Sequence, residues 1–195
     1  MLFTRQNLER LGFAGWLPFA EVRSSLCPAT AGICVVTYSG DTPREFAGKS
    51  RGGWFKGQDP TVPPAVSAAN WVDDAEVVYI GMSGQLRRAL RLFADFGAGE
   101  PISHWGGRLI WQLPDVSKLL VAWKETHGQA PKEVKAKLLG VVPANLWPAA
   151  VRQRSRPARA LIGRGLRRLV DLPERFSHRP HRLYPPGNAG VQRQV

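Results

Sequence analysis

The chain has few cysteines and no long apolar segment, and each absence excludes a class of protein. Its 195 residues include Cys27 and Cys34 as the only cysteines, too few for a disulfide framework or a four-cysteine zinc site. We therefore expect two reduced, buried thiols. No run of about 18 apolar residues occurs, so no membrane partner is expected. Because residues 1–7 also lack the apolar stretch of a secretory signal, the expected location is the cytoplasm.

Acidic residues are scarce, and the resulting basic excess is unevenly placed. The chain has 27 Lys and Arg against 15 Asp and Glu, a net charge of +12. Residues 151–195 hold 11 Arg, no Lys and 2 acidic residues, a net +9, which leaves +3 for residues 1–150. A basic excess is typical of proteins that bind nucleic acid. Since most of it lies in the last 45 residues, the folded part is expected to be only mildly basic.

Hydrophobic patterning predicts an α+β fold, a small three-stranded sheet flanked by helices. The predicted strands are residues 32–38, 77–80 and 119–123. The predicted helices are residues 85–96, 108–113 and 132–139. Residues 1–28 are predicted to form an amphipathic start, and residues 41–70, rich in Gly, Pro and polar side chains, a long ordered loop without regular structure. These elements form one expected domain, residues 1–140, followed by an Arg- and Pro-rich tail of low order, residues 141–195.

Two of the predicted strands carry short signatures in a fixed order. Gly32-Ile33-Cys34 lies on the first strand and Tyr79-Ile80-Gly81 on the second, ahead of the helical Leu86-Arg87-Arg88-Ala89-Leu90. The other motifs are Gly12-Phe13-Ala14-Gly15-Trp16, Lys56-Gly57-Gln58-Asp59-Pro60-Thr61, Phe96-Gly97-Ala98-Gly99, His104-Trp105-Gly106-Gly107-Arg108, Ile110-Trp111-Gln112-Leu113 and Leu120-Val121-Ala122-Trp123-Lys124-Glu125. From about residue 8 to 139, this set resembles the GIY-YIG nuclease superfamily, and within it a group of bacterial proteins of undefined role.

The resemblance implies a small GIY-YIG-like fold and metal-dependent cleavage of a DNA phosphodiester, with Mg²⁺ or Mn²⁺ as cofactor. In that family, tyrosines from two strands approach the scissile phosphate, a helix arginine stabilises the developing charge, and a glutamate on a later helix holds the cation. The chemistry is consistent with this arrangement, because a pentacoordinate phosphoryl group gathers negative charge and is stabilised by positioned cations and a metal.

Three functional positions of the family were compared with this chain residue by residue, and only one of them carries the family's residue. Cys34 stands where the first strand has a tyrosine, and it lacks a phenol. Tyr79 is retained and is the leading candidate catalytic residue, the alternative being a tyrosine that packs on the sheet. The arginine position falls on Ala89. Arg88 or Arg91 is therefore a candidate substitute, and Arg87 and Arg91 are candidate nucleic-acid contacts. For these arginines a solvated helix face is the other reading.

The remaining positions bear on the cation and on acid–base chemistry. Lys135 takes the place of the metal-binding glutamate, and an ammonium there reverses the charge, so binding of a hard cation is expected to fail. Met82 follows Tyr-Ile-Gly, where the family often has lysine. His104 is a candidate acid or base, or a structural histidine capping the following helix. Arg108 is a further candidate nucleic-acid contact.

The resemblance stops near residue 139, and two explanations of the tail stay open. In the first, the tail is a genuine basic segment that binds phosphates through counterion release. In the second, it is read out of frame. Codons permitted for residues 140–153, shifted by one nucleotide, can spell Glu-Ser-Phe-Arg-Arg-Thr-Tyr-Gly-Arg-Leu-Pro-Phe-Ala-Asn, which resembles the family's continuation. The nucleotide sequence of the gene distinguishes the two.

Two functions follow as expectations. One is a metal-dependent DNA endonuclease impaired by its altered positions, and the other is a non-catalytic nucleic-acid-binding module that keeps the fold. Both have DNA as the expected partner. Both also require that Cys34 and Tyr79 lie side by side on adjacent strands.

Overall fold

A four-stranded antiparallel sheet organises the computed structural model, which describes residues 4–140 except residues 42, 44 and 74. The strands are β1 (Ala14–Pro18), β2 (Gly32–Tyr38), β3 (Val77–Ser83) and β4 (Leu119–Glu125), in the order β1-β4-β2-β3. The α-helices are α1 (Arg5–Arg10), α2 (Pro64–Asn70), α3 (Leu86–Gly97) and α4 (Pro131–Gly140). Short 3₁₀ helices span Phe19–Ser24, Trp105–Gln112 and Val116–Lys118. The predicted α+β class is confirmed, with one strand more than expected.

The additional strand is β1, which lies in the segment predicted as an amphipathic start. Its alternation is broken by a bulge: Gly15 pairs with Ala122 and Leu17 with Val121, so Trp16 has no partner residue on β4. Trp16 also has a φ of 57°, outside the extended region. A bulge shifts the side-chain period by one residue, which explains why the strand pattern is not visible in the sequence.

The two signature strands are direct neighbours in the sheet. β2 and β3 pair antiparallel, with Cys34 opposite Gly81 and Val36 opposite Tyr79. β2 also pairs with β4 along its whole length and is buried throughout. The expectation that Cys34 and Tyr79 lie on adjacent strands is therefore confirmed.

Helices cover both faces of the sheet. One face packs against α3 through its buried residues Leu86, Leu90 and Phe93, so the predicted helix is confirmed with its apolar stripe facing inward. The other face carries Ile33, Val35 and Ile80 and contacts Leu8 of α1 and Leu138 of α4. Since side chains alternate along a strand, Cys34 and Tyr79 belong to the α3 face.

Two expectations outside the sheet need correction. Residues 41–70 were expected to lack regular structure, but their last seven residues form α2. Pro64 stands at its first position, where a missing N–H costs no helical hydrogen bond. The helix expected over residues 108–113 is a 3₁₀ helix that begins earlier, at Trp105.

The remainder of this segment is tied to the domain by one side chain. Gln112 is completely buried, and its amide nitrogen donates to the carbonyl oxygens of Ala47 and Val62, both at 2.8 Å. Its amide oxygen accepts from the Val62 N–H at 2.8 Å. The long loop is thus held by hydrogen bonds where it lacks regular structure.

The predicted tail, residues 141–195, lies outside the described residues. In the part of the chain that is described, no helix is long and apolar enough to cross a membrane.

Candidate functional site

Cys34 and Tyr79 converge over Gly81, on the α3 face of the sheet. A Cβ atom placed on Gly81 would lie 2.8 Å from Cys34 Sγ and 3.0 Å from the Tyr79 hydroxyl oxygen. Only a residue without a side chain leaves both polar atoms this close to the backbone. Gly81 therefore fixes the geometry of the pair.

Burial decides the chemical state of Cys34. The residue is 6% exposed, and burial raises the pKa of its thiol to about 12, although the Gly81 backbone hydrogen bond and the charge of Lys135 act in the opposite direction. The thiol is therefore protonated at neutral pH. It offers a weak donor where a tyrosine would offer a phenol, and no anionic nucleophile.

The structure brings the two other candidates for chemistry, Tyr79 and His104, together around Phe93. The Tyr79 ring meets Phe93 edge-on at 5.1 Å between centroids, and the His104 ring stacks on Phe93 at 3.9 Å and 17°. The centroids of Tyr79 and His104 are 6.4 Å apart. Gly107 makes room for this stack, since a Cβ atom there would collide with the Phe93 ring.

His104 directly precedes the 3₁₀ helix Trp105–Gln112 but forms no capping hydrogen bond with it through its side chain. Capping therefore does not explain this histidine. Its Nε2 atom is inaccessible to solvent, while the residue as a whole is half-buried. The packing of His104 against Phe93 and near Tyr79 is its main structural feature.

Arg88 lies away from this cluster. Phe93 faces Tyr79, and the five positions from Arg88 to Phe93 turn the side-chain direction by roughly 140° on an α-helix. Arg88 is accordingly exposed. The structure does not bring it to Tyr79, and Ala89, where the resemblance implies an arginine, carries no charge.

The other candidate arginines are engaged in local contacts. Arg87 Nε donates to the Cys27 carbonyl oxygen at 2.6 Å, and Arg91 Nη2 donates to the Arg23 carbonyl oxygen at 3.0 Å. Arg108 donates to the Trp105 carbonyl oxygen at 3.1 Å, with its guanidinium 5.2 Å from the centre of the Trp105 ring. None of the three is placed beside the Tyr79 hydroxyl by these contacts.

Lys135 reaches the signature strand from α4. Its Nζ atom donates to the Ile80 carbonyl oxygen at 2.9 Å. A hard divalent cation needs carboxylate, carbonyl or water oxygens, and an ammonium at this position repels the ion and occupies a carbonyl. Glu133 is exposed and two residues away, on a different face of α4. The residues present therefore do not fit the Mg²⁺ or Mn²⁺ site that the resemblance implies.

Sequence reasoning missed the two glycines that shape this site. Gly81 and Gly107 belong to motifs recognised in the sequence, but their roles depend on which side chains cross above them. Gln112 was also missed as an anchor, although a lone amide between Trp111 and Leu113 is a visible signal for a buried polar contact.

Comparisons with protein-family models, with curated proteins and with solved structures found no match to this chain.

Proposed function

We propose that this protein is a GIY-YIG-like module that binds nucleic acid and does not cleave it efficiently with a divalent metal. The observation that carries the proposal is the hydrogen bond between Lys135 Nζ and the Ile80 carbonyl oxygen at 2.9 Å. It places a cation beside the Tyr-Ile-Gly strand, where the resemblance implies a carboxylate. Without that carboxylate, no ligand binds the cation that would activate the attacking water in the implied mechanism.

The state of the neighbouring groups supports the same conclusion. Cys34 is a buried, protonated thiol where the family has a tyrosine, and Arg88 points away from Tyr79. A transition state that gathers charge on phosphoryl oxygens would therefore lack one of the two phenols that the resemblance implies, and also the guanidinium of Arg88. Of the candidates for acid–base chemistry, Tyr79 and His104 lie in one cluster.

Binding of nucleic acid is supported by the exposed side of α3. This side carries Arg87, Arg88 and Arg91, and exposed arginines suit phosphate oxygens because the planar guanidinium donates in a fork. DNA is the proposed partner, and the cytoplasm is the proposed location.

A second candidate function, a weakly active endonuclease, is favoured by one observation. The centroids of the Tyr79 and His104 rings lie 6.4 Å apart, so one cluster holds a phenol and an imidazole, two groups that serve in acid–base catalysis.

A nicking assay on supercoiled plasmid with Mg²⁺ or Mn²⁺, run beside a DNA-binding titration, separates the two candidates. We expect salt-dependent binding without nicking. Metal-dependent nicking that is lost in Tyr79→Phe and kept in Tyr38→Phe would establish the endonuclease instead. Tyr38 is a suitable control because it is a buried tyrosine on β2.

A further inference from the structure

A pocket of about 250 Å³ opens beside α3, on the side of the helix that faces away from Tyr79. One lining residue, Ala29, lies in the turn before β2. The others lie at the start of α3 or along it: Gln85, Arg87, Arg88, Arg91 and Leu92. Three of the six residues are arginines and none is acidic. The lining therefore favours an anion.

The pocket is separate from the cluster around Tyr79. Phe93, which contacts Tyr79, and Arg88, which lines the pocket, point in directions that differ by roughly 140° around the helix axis. A ligand in the pocket would not touch the Tyr79 hydroxyl. Whatever binds here is recognised independently of the candidate chemistry.

Two of the arginines are already held in position. Arg87 is fixed by its bond to the Cys27 carbonyl and Arg91 by its bond to the Arg23 carbonyl. A guanidinium has five N–H donors, so each keeps further donors for a ligand. Fixing the side chains beforehand lowers the entropy that binding would cost.

Arg88 is the third arginine that lines the pocket, and it is exposed to solvent. Within the part of the chain that the structure describes, it forms no hydrogen bond and no ion pair. Because no residue competes for its donors, Arg88 is the member of the pocket that is most available to an incoming group.

The nearby carboxylates are engaged elsewhere. Asp95 pairs with Arg23, Oδ1 to Nη2 at 2.5 Å, and Glu125 accepts from the Thr30 hydroxyl at 2.5 Å. Neither lines the pocket. The positive potential of the three guanidinium groups is therefore not cancelled inside it.

We propose that this pocket binds a phosphate monoester group, and that its source is the terminal phosphate of a nucleic-acid strand. A terminal phosphate projects three free oxygens and carries nearly two charges at neutral pH, which suits several converging guanidinium groups. An internal phosphodiester has one charge and a sugar on either side, so it offers less charge and fewer free oxygens to the three arginines. The choice of a nucleic acid as the source of the phosphate rests on the proposed function. The inference that the pocket binds a phosphate monoester does not depend on it.

The test compares two labelled single-stranded oligonucleotides of one sequence, with a 5′-phosphate or a 5′-hydroxyl, by fluorescence anisotropy with the full chain. We expect the 5′-phosphate to tighten binding by about tenfold, the effect of one additional charge-assisted contact. Arg88→Gln, which removes the charge and keeps a polar side chain, should abolish that difference. Arg88→Lys should retain part of it, because the charge remains and the fork is lost.

The matched control is Arg10→Gln, the same substitution and charge change at an exposed arginine on α1. α1 packs through Leu8 against the opposite face of the sheet. This variant should keep the tenfold preference. Melting temperatures of both variants should equal that of the unsubstituted chain, since Arg88 makes no contact that folding needs.

Titrations with inorganic phosphate and with AMP separate the possible sources. If neither oligonucleotide binds but AMP or phosphate does, and Arg88→Gln removes that binding, the phosphate site stands and the proposed function fails. If both oligonucleotides bind equally and Arg88→Gln weakens both alike, the monoester assignment is overturned and the proposed function stands. If no phosphate species binds in an Arg88-dependent way, the inference itself is overturned.

Discussion

Lys135 and Ile80 are joined at the edge of the sheet by a hydrogen bond of 2.9 Å from the ammonium Nζ to the carbonyl oxygen. β3, which carries Ile80, is the last strand in the order β1-β4-β2-β3. Lys135 of α4 thus donates to a backbone acceptor on an edge strand and places a positive charge there. The same contact stabilises the edge and disfavours a divalent cation.

The substitution Lys135→Glu should reverse that preference. The carboxylate cannot donate to Ile80, so we expect a loss of about 1 kcal/mol in the free energy of unfolding without metal. With Mn²⁺ present, we expect heat of binding in calorimetric titration and a rise in melting temperature, both absent from the unsubstituted chain. Lys132→Glu, on the exposed side of the same helix, is the control for charge alone. If the titration of Lys135→Glu is as flat as that of Lys132→Glu, position 135 is not a ligand position.

The two buried thiols predict a loss of stability in alkaline solution. Burial raises the pKa of Cys34 to about 12 and that of Cys27 to about 11, from 9.0. Between pH 9 and these values the unfolded chain loses thiol protons that the folded chain keeps, so stability is complete below pH 9 and falls as the pH rises. The slope for each thiol approaches ~1.4 kcal/mol per pH unit.

Urea denaturation from pH 8 to 11 measures this slope. Cys34→Ser removes one of the two titrating thiols and should make the decline shallower than in the unsubstituted chain. All other residues are the same in the two proteins, so their contributions cancel in the comparison. Parallel curves for the two proteins would show that the thiol of Cys34 is not protected as its burial requires.

Gln112→Leu should loosen the long loop. The substitution leaves the carbonyls of Ala47 and Val62 and the Val62 N–H without their buried partner. We expect a loss of about 3 kcal/mol in the free energy of unfolding and faster proteolysis within residues 45–63. Gln129→Leu, at an exposed position, should change stability by no more than about 0.5 kcal/mol. Equal effects of the two substitutions would contradict the anchoring role of Gln112.

Gly81→Ala should disturb the Cys34–Tyr79 pair. The new methyl group would lie 2.8 Å from Cys34 Sγ and 2.9 Å from Tyr79 Cε1, and such overpacking costs about 1–3 kcal/mol. We expect lower stability and faster reaction of Cys34 with a thiol reagent, measured in a Cys27→Ser background. Gly84→Ala is the matched control, because nothing lies within 4 Å of its Cβ position. A Gly81→Ala protein as stable and as slowly labelled as Gly84→Ala would refute the crowding.

Strong periodicity allowed most of the sheet and α3 to be predicted from sequence. The apolar segment of β2 is short, β-branched and followed by a turn, which favours a strand, and the spacing of Leu86, Leu90 and Phe93 favours a helix. β1 was missed because the bulge at Trp16 breaks the alternation. α2 was missed because the prolines before it are typical of loops as well as of first helical positions.

The candidate site was predictable only in part. Adjacency of Cys34 and Tyr79 was expected from their motifs, and the outward direction of Arg88 follows from helical spacing. The bond from Lys135 to Ile80, by contrast, depends on how α4 packs on the sheet, and the stacking of His104 depends on Gly107. Contacts between distant segments leave no periodic pattern in a sequence, so they need coordinates.

The sheet order also dictates when the domain can assemble. Among the described strands, β1 pairs with β4 alone, with Ala14 opposite Trp123, although β1 stands at the start of the chain and β4 near the end of the domain. During synthesis, β2 can pair with β3 early. The other edge of β2 and the whole of β1 stay unpaired until β4 has left the ribosome. Folding therefore depends on a late long-range closure. A chain that stops before residue 119 lacks β4, and the two strand edges that β4 would cover, one on β1 and one on β2, stay open to aggregation.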